Sequence, residues 1–302
     1  MSADFRTYSW EQRYIVQRLP LALRGLITGL INSRPSDHPA DYYGALAKSL
    51  TRALLFHKIV NPSTFLRNEV WVRYKKIHYI VTNETIWSYF QNTFEPKTSH
   101  ALCDTKGTIA IDVGANCGQY SLPLSKKFTK VIAIEPNPIA LDVLKRNVAK
   151  NIASNVEIRP IAILPQEGLA LLRRGAFLST WGVEAKGEVA VTVDGKSLDQ
   201  ILEKFRAIDL LKLDVEGIEH SILLGSRLLN RVSVLCFSLP PPEVRSNVTP
   251  LLIRHLISLG FDRIGIPEAE GDSGENAFAM STCRQSDGVI LSYNYFKGYS
   301  WY

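Results

Sequence analysis

Long hydrophobic runs and cysteine motifs are both missing from this 302-residue chain. No stretch approaches the roughly 18 uncharged apolar residues that a membrane-spanning helix needs. The first 20 residues contain acids and lack the apolar stretch of a signal peptide, so we expect no secretory leader. The four cysteines form no CxxC pair and no Cys/His cluster. These absences argue against a zinc site and a disulfide framework, and they favour a cytoplasmic protein.

Excess positive charge is absent after residue 100 and concentrated before it. Residues 1–100 hold 13 Lys and Arg against 7 Asp and Glu, whereas residues 101–302 hold 22 of each. A charged extension usually presents a solvated face, but it also suits an anionic membrane surface, a nucleic acid or a phosphorylated substrate. Apolar residues recur at helical spacing over residues 14–31 and 41–58.

We therefore expect a basic helical extension over residues 1–68, followed by a second domain over residues 69–302. The second domain begins with an alternating stretch, Val70–Thr82, which predicts a strand or a hairpin. A helix is expected next, over residues 83–94, with Asn83 as its N-cap.

Strand and helix patterns alternate from residue 108 onward. The strands are short and apolar throughout, as in parallel strands that are covered on both faces. They are predicted at Ile109–Val113, Val131–Glu135, Val156–Ile163, Val189–Val193, Leu210–Asp214, Ser233–Phe237, Asp262–Ile266 and Gly288–Tyr293, the fourth of these in the main sheet or in a small hairpin. Helices are predicted at Tyr120–Phe128, Ile139–Asn151, Ser197–Phe205, Ile218–Leu229 and Pro250–Leu259. This order predicts a doubly wound, Rossmann-like α/β sheet.

Two nucleotide-binding fingerprints are absent from the loop after the first strand, which reads DVGANCGQYS. Its glycine spacing is not G-x-G-x-x-G, and no lysine follows to complete a GxxxxGK[ST] phosphate loop. Gly114 and Gly118 allow a sharp turn and the close approach of a ligand. Asp112 precedes them, where a carboxylate would repel a pyrophosphate but attract a cation. The loop therefore favours a positively charged ligand over NAD or ATP.

Glu135 ends the second strand, about 20 residues after the glycines, where an acid can accept hydrogen bonds from both hydroxyls of a ribose. An exposed acid at a strand end is the ordinary alternative, but the glycine loop at this distance favours the ribose role. A ribose joined to a cationic group describes S-adenosylmethionine. We predict that molecule as the cofactor.

Four segments together resemble the FkbM-type S-adenosylmethionine-dependent methyltransferases, namely IDVGANCGQYS, AIEPNP, SLDQIL and LLKLDVEGIEHSILLGS. The K-x-D-V-E-G-x-E block is the most specific of these features. The resemblance implies a seven-stranded class I methyltransferase sheet whose last strand inserts antiparallel between the fifth and the sixth. It also implies O-methylation of hydroxyl groups on small molecules, either polyketide-like or sugar-containing.

The same resemblance carries roles onto particular positions. Asp112, Gly114, Asn116 and Gly118 would border the methionine part of the cofactor, and Glu135 would hold its ribose. Ala115 and Asn137 complete the predicted cofactor-binding set.

An acidic block, DVEGIEH, begins at the last residue of the strand predicted at Leu210–Asp214. Acids at a helix N-terminus are also favoured by capping and by the helix dipole, so a structural role is the plain alternative. Methyl transfer to a hydroxyl needs in-line placement of the oxygen and often a base, and the acceptor should enter at this edge of the sheet. We predict Asp214, His220 and Glu216 as catalytic residues. No metal is predicted, because no second acidic cluster stands at a recognisable spacing.

The end of the strand predicted at Ser233–Phe237 departs from the family pattern. Relatives often carry an acid followed by a histidine there, whereas this chain has Phe237 and Ser238, which points to a different acceptor pocket or an altered activity.

Two other functions stay open. One is a nucleic-acid (RNA) methyltransferase that grips phosphates with the basic extension, although residues 1–100 contain no interleaved aromatic and basic patch. The other is a non-catalytic S-adenosylmethionine-binding protein. We expect a small-molecule or glycan acceptor, with peripheral membrane contact through the extension as a further option.

Overall fold

A computed structural model of the chain describes residues 33–56, 65–74, 76–82, 96–173, 182–183, 188–239, 242–267, 276–284 and 299–302, with residues 23, 26, 27 and 31. The chain divides into two compact units, residues 1–94 and residues 95–302. The domain boundary after residue 68 stays a prediction. The helix predicted at residues 83–94 lies outside the described residues, as does most of the one predicted at residues 14–31.

The N-terminal unit contains a helix and a three-stranded antiparallel sheet. In chain order these elements are β1 (Arg34–Pro35), α1 (Pro39–Phe56), β2 (Val70–Tyr74) and β3 (Ile77–Val81). Tyr42, Leu46 and Ala53 recur at helical spacing on α1 and are almost completely buried. The helix and the hairpin predicted for this region are confirmed.

The second unit contains the remaining described elements. Its strands are β4 (Gly107–Val113), β5 (Phe128–Ile134), β6 (Val156–Arg159), β7 (Ala162–Leu164), β8 (Gly168–Arg173), β9 (Val189–Ser197), β10 (Ile208–Leu213), β11 (Val232–Phe237), β12 (Arg263–Pro267), β13 (Ala277–Met280) and β14 (Tyr299–Trp301). Its α-helices are α2 (Pro96–Asp104), α3 (Ser121–Leu124), α4 (Pro138–Lys150), α5 (Leu198–Leu202), α6 (Glu219–Gly225) and α7 (Pro242–Ser258). Short 3-10 helices cover Leu228–Arg231 and Thr282–Arg284.

The main sheet has eight strands among the described residues, in the order β14-β12-β13-β11-β10-β4-β5-β6. Strands β11, β10, β4, β5 and β6 are parallel, and β13 inserts antiparallel between β11 and β12. The doubly wound α/β class is therefore confirmed. An antiparallel strand is inserted as expected, but it is β13 and not the last strand of the chain, which is β14 at the edge. The predicted number of seven strands is wrong, because β14 adds an eighth at the edge beside β12. The strand predicted at Gly288–Tyr293 lies outside the described residues.

The strand predicted at Val156–Ile163 is divided at Pro160. Residues before it form β6 in the main sheet, and residues after it form β7 in a separate three-stranded sheet of order β7-β9-β8. Proline has no N–H to donate to a strand ladder, so a strand ends most readily there. The hairpin alternative for Val189–Val193 is the correct one, because β9 pairs antiparallel with β8 in this small sheet.

Several helices differ from their predicted bounds, and two of them contain prolines. The helices predicted at Ser197–Phe205 and Ile218–Leu229 are shortened to α5 and α6. The helix predicted at Tyr120–Phe128 is shortened to α3, whose last turn closes through i−3 bonds from Lys126 N–H to Pro123 O and from Lys127 N–H to Leu124 O. The helix predicted to begin at Pro250 begins eight residues earlier, and Pro250 lies inside α7. No helix among the described residues has the length and apolar character needed to cross a membrane.

Alternate residues of the central strands pack on opposite faces of the main sheet. Ile111 and Leu211 join a core with residues of α5, α6 and α7, whereas Ala110 and Leu210 join a core with α2 and the segment around α3. The same alternation assigns Asp112 and Lys212 to the second face. A buried carboxylate and a buried ammonium therefore share the α2 side of the sheet.

Candidate active site

The glycine loop lies at the carboxyl end of β4 and contacts the loop after β10. The N–H groups of Gly114 and Ala115 both donate to Ile134 O, each at 3.0 Å. Gly114 has φ +75°, and a Cβ added there would lie 1.8 Å from the carbonyl oxygen of Asp214. Gly118 has φ +90°, and its added Cβ would lie 2.9 Å from Leu144 Cδ1 on α4. Both glycines thus make room for protein atoms. Gly114 brings the loop against the acidic block, and Gly118 brings it against α4.

Glu135 follows β5 and is held by two backbone donors. Its Oε2 accepts from Asn116 N–H at 2.7 Å, and its Oε1 accepts from Asn137 N–H at 2.8 Å. Burial raises the pKa of Glu135 to about 7, although both hydrogen bonds act in the opposite direction. The carboxyl group is thus fixed in orientation at the sheet edge.

The two asparagines beside Glu135 bring further polar atoms to this edge. Asn137 caps α4, its Oδ1 accepting from Ile139 N–H at 3.0 Å, and Asn116 has a left-handed backbone with φ +48°. Asn116 Oδ1 and Asn137 Nδ2 are buried and have no hydrogen-bond partner among the described residues. Buried polar atoms normally have a partner, so these two atoms suit a polar ligand.

A buried acid–lysine–acid cluster connects β4 and β10. Lys212 lies opposite Asp112 in the parallel ladder, with 3.5 Å from its Nζ to Asp112 Oδ1 and 3.4 Å to Asp214 Oδ2. Ser121 donates its hydroxyl to Asp112 Oδ2 at 2.6 Å, and the Lys212 ammonium lies 5.3 Å from the centre of the Tyr120 ring. Two carboxylates around one ammonium give this cluster a net charge of −1 when all three groups are ionised.

The outer carboxylate of this cluster is also held from the β11 side. Ser238 donates its hydroxyl to Asp214 Oδ1 at 2.9 Å, and the same hydroxyl lies 2.9 Å from Asn276 Oδ1. A hydroxyl has one proton, so exchanging the amide oxygen and nitrogen of Asn276 lets the amide donate to Ser238. Asn276 is anchored through its backbone, its N–H donating to Thr98 Oγ1 and its carbonyl accepting from the Tyr299 hydroxyl.

Glu219 holds the backbone of the acidic block through two hydrogen bonds. Its carboxyl group is completely buried and accepts from Val215 N–H at 2.7 Å and from Gly217 N–H at 3.0 Å. Burial and the neighbouring Asp214 charge raise the pKa of Glu219 to about 7. Glu216, between Val215 and Gly217, is exposed and has a left-handed backbone with φ +63°.

The predicted site residues are only partly brought together. The loop and strand ends collect Asp112, Gly114, Ala115, Asn116, Gly118, Glu135, Asn137 and Asp214 at one edge of the sheet. Glu216 points to a solvent-exposed position instead. His220 lies half-buried in the first turn of α6, and among the described residues no hydrogen bond or ion pair joins it to Asp214. No group of three or more His, Cys, Asp or Glu in the described part of the chain is placed to hold a metal ion.

Sequence reasoning missed Lys212, Ser121 and Asn276 as members of the site. One signal for Lys212 was available, because it is a lone lysine in the apolar strand LLKLD and the neighbouring strand IAIDV has a lone acid. Two isolated opposite charges in buried strands predict each other, since neither is stable alone. Nothing comparable identifies Asn276, whose contacts are distant in sequence.

Comparison with known proteins finds methyltransferases. Residues 112–243 match the family model described as the Methyltransferase FkbM domain. Methyltransferase sdnD of Sordaria araneosa is 28% identical over 221 residues, which cover 59% of this chain and 81% of that protein. A probable ribosomal RNA small subunit methyltransferase A of Methanosphaera stadtmanae is 46% identical over 48 residues, 16% of this chain and 18% of that protein.

A solved structure is also similar. Methyltransferase FkbM from Methylobacillus flagellatus KT has 21% sequence identity and a TM-score of 0.41, covering 65% of this chain and 53% of that one. The chain thus spans about half the length of that relative.

A parallel sheet with one antiparallel insertion, and a glycine loop and an acid at the ends of adjacent strands, define the class I methyltransferase fold. Within that class, residues 112–243 match the FkbM methyltransferase domain, which confirms the resemblance predicted from the four sequence segments.

Proposed function

We propose that the chain is an S-adenosylmethionine-dependent methyltransferase that methylates a hydroxyl oxygen of a small molecule, a sugar or a glycan. The observation that carries this proposal is the Glu135 carboxyl group, held by Asn116 N–H and Asn137 N–H. A carboxylate oxygen has two lone pairs, so each oxygen can accept one further hydrogen bond after the backbone donor. Two adjacent hydroxyls of a ribose match that pair of acceptors.

The remaining residues fit the rest of this cofactor. Asn116 Oδ1 and Asn137 Nδ2 need polar partners, which the adenosine and amino-acid parts can supply. The Asp112–Lys212–Asp214 cluster has excess negative charge, which favours a sulfonium cation. The cofactor supplies an electrophilic methyl carbon, and the protein residues supply position, charge and a proton acceptor.

Asp214 is the residue we assign to the acceptor hydroxyl. Its carboxylate is fixed by Ser238 and Lys212 and keeps 19% of its side-chain surface exposed. A fixed carboxylate can orient the hydroxyl and take up its proton as the oxygen attacks the methyl group. His220, whose Nδ1 is buried and has no hydrogen-bond partner in the described structure, is the second candidate for the base. The exposed Glu216 stays a candidate at the rim of the site.

Two measurements test this proposal. Calorimetry should give micromolar affinity for S-adenosylmethionine or its demethylated product, a usual scale for metabolites. Label from a methyl-labelled donor should then transfer to glycans or small metabolites in a fractionated cell extract. No heat of binding with either ligand contradicts the proposal. Label in RNA supports the nucleic-acid alternative, and binding without transfer to any fraction supports a non-catalytic protein.

A further inference from the structure

Lys212 is the one member of the cluster whose ammonium contacts both acids. Its side chain and that of Asp112 are each 1% exposed, and that of Asp214 is 19% exposed. The two ion pairs run along one strand and across to its neighbour, so a single charge holds both acids at the carboxyl edge. The Tyr120 ring covers the same ammonium without adding charge.

A buried lysine is costly unless acids compensate it, and a buried acid is costly without a cation. One acid would neutralise the lysine, so the second acid leaves an excess of one negative charge. The proposed function uses this excess to attract a sulfonium cation, but it assigns no role to Lys212 itself. A ligand that is positively charged next to the cluster would complete its neutralisation.

We propose that Lys212 is a positioning residue that sets the net charge of the methyl-donor site, and thereby how strongly the site prefers a sulfonium over a neutral thioether. The inference rests on the proposed cofactor. S-adenosylmethionine carries the sulfonium, and its demethylated product S-adenosylhomocysteine carries the thioether, so their affinity ratio reports the charge of the site. A cluster of charge −1 attracts the donor and still releases the product, whereas a more negative cluster would hold unreacted donor more tightly relative to product.

The test is a series of variants ordered by net charge, with both ligands measured by calorimetry on the full chain. Lys212→Met removes the positive charge and gives −2 with both acids ionised. Lys212→Met combined with Asp112→Asn returns the cluster to −1, and Asp214→Asn gives zero. The affinity ratio of S-adenosylmethionine to S-adenosylhomocysteine should rise about tenfold or more in Lys212→Met, return to the wild-type value in the double variant, and fall about tenfold or more in Asp214→Asn.

The matched control is Lys130→Met, a lysine-to-methionine change on β5 of the same sheet. Its Nζ pairs with Glu157 at 2.7 Å, and its side chain is 44% exposed. This variant changes the total charge of the protein equally, so an equal change of the ratio would overturn the local assignment. A purely structural role of Lys212 would weaken both ligands together and leave the ratio unchanged, which would also overturn it.

The failure of the inference is distinguishable from failure of the proposed function. If wild-type protein binds neither ligand, the cofactor assignment fails. If it binds both and the affinity ratio does not change along the charge series, only the role of Lys212 fails. If Lys212→Met shows no cooperative thermal transition, it is not folded, and the test then rests on the double variant and Asp214→Asn. An unchanged affinity ratio in Asp214→Asn overturns the inference.

Discussion

At the scale of a single residue, two opposing effects act on the protonation of the Glu135 carboxyl group. Burial disfavours its charge and raises its pKa to about 7, whereas two backbone N–H groups favour the ionised form. Hydroxyl donors from a ribose would add to the second influence. Cofactor binding should therefore compete with a proton for this carboxyl group near neutral pH.

Replacing Glu135 with Ala should weaken S-adenosylmethionine binding by about 1.5–3 kcal/mol, because charge-assisted hydrogen bonds are lost. In the wild type, affinity should fall about tenfold per pH unit below pH 7, since the protonated form must lose its proton to accept both hydroxyls. Calorimetry from pH 5.5 to 8.5 measures both effects. The control is Glu157→Gln, a half-exposed acid on β6. Equal affinity in Glu135→Ala and the control would refute the ribose assignment.

Asp214 and His220 can be separated by one pair of variants. If His220 is the base, His220→Ala should lower turnover about a hundredfold to ten-thousandfold while cofactor affinity stays normal. If Asp214 takes the proton, Asp214→Asn should cause a loss of that size, with weaker donor binding as well. Single-turnover rates with the acceptor found in the extract give the answer. Near-wild-type turnover in both variants would mean that the acidic block is structural.

At the scale of elements, the ends of regular strands were predictable, whereas strand breaks and very short strands were not. The strands at Ile109–Val113 and Ser233–Phe237 were found within one or two residues, because apolar runs bounded by turns leave few alternatives. Pro160 was visible in the sequence, but only the structure shows that the chain leaves the main sheet there. Strand β13 is four residues long, and so short an apolar run cannot be assigned to a strand by periodicity.

The loop after β4 gives a prediction that compares two glycines. Gly114→Ala should lower the melting temperature and abolish cofactor binding, because the new Cβ would overlap the Asp214 carbonyl and the backbone has φ +75°. Gly168→Ala is the control, since no atom lies within 4 Å of its added Cβ. Thermal unfolding with calorimetry distinguishes them. A Gly114→Ala protein with normal stability and affinity would contradict the observed contact between the loops.

Helix α1 gives the second prediction at this scale. Leu46 is completely buried, whereas Leu55 is 68% exposed. Leu46→Ala should destabilise the protein by about 2–5 kcal/mol through the lost burial and the cavity left behind, and Leu55→Ala should not. Denaturant unfolding measures this difference. Both variants should also be sedimented with anionic vesicles, because Lys48 and Arg52 accompany Leu55 on this helix. Loss of sedimentation in stable Leu55→Ala would support the peripheral membrane expectation for the extension.

At the scale of the whole molecule, the site is assembled across long sequence separations. Asn276 N–H donates to Thr98 Oγ1 across 178 residues, and Ser238 reaches Asp214 across 24. The sequence predicted residues that follow strands directly, since parallel strands bring their carboxyl ends to one edge. It could not predict α2 or β14 as supports of Asn276, because such contacts depend on sheet order and register. The departure at Ser238 was visible, but its hydrogen bond to Asp214 was not.

The response of the whole fold to pH follows from two buried acids. Burial raises the pKa of both Glu135 and Glu219 to about 7 in the folded protein, against 4.5 for an ordinary glutamate. Between these values the folded state binds more protons than the unfolded state, so the free energy of unfolding falls as pH rises. The contribution of each group is fully present below pH 4.5 and is lost as pH rises through 7, with a slope approaching about 1.4 kcal/mol per pH unit.

Glu219→Gln removes one of these titrations. The change should lower stability, because one of the two oxygens that accept from Val215 N–H and Gly217 N–H is replaced by an NH2 group, which cannot accept. It should also flatten the dependence of the free energy of unfolding on pH between 5 and 7. Urea unfolding is measured at unit steps from pH 5 to 8 for this variant, for wild type and for Glu203→Gln, a change at an exposed acid. The other groups titrate alike in the three proteins, so the comparison gives the contribution of Glu219 to the pH dependence. Parallel curves for Glu219→Gln and wild type would mean that Glu219 is ionised throughout this range and that its two backbone hydrogen bonds outweigh its burial.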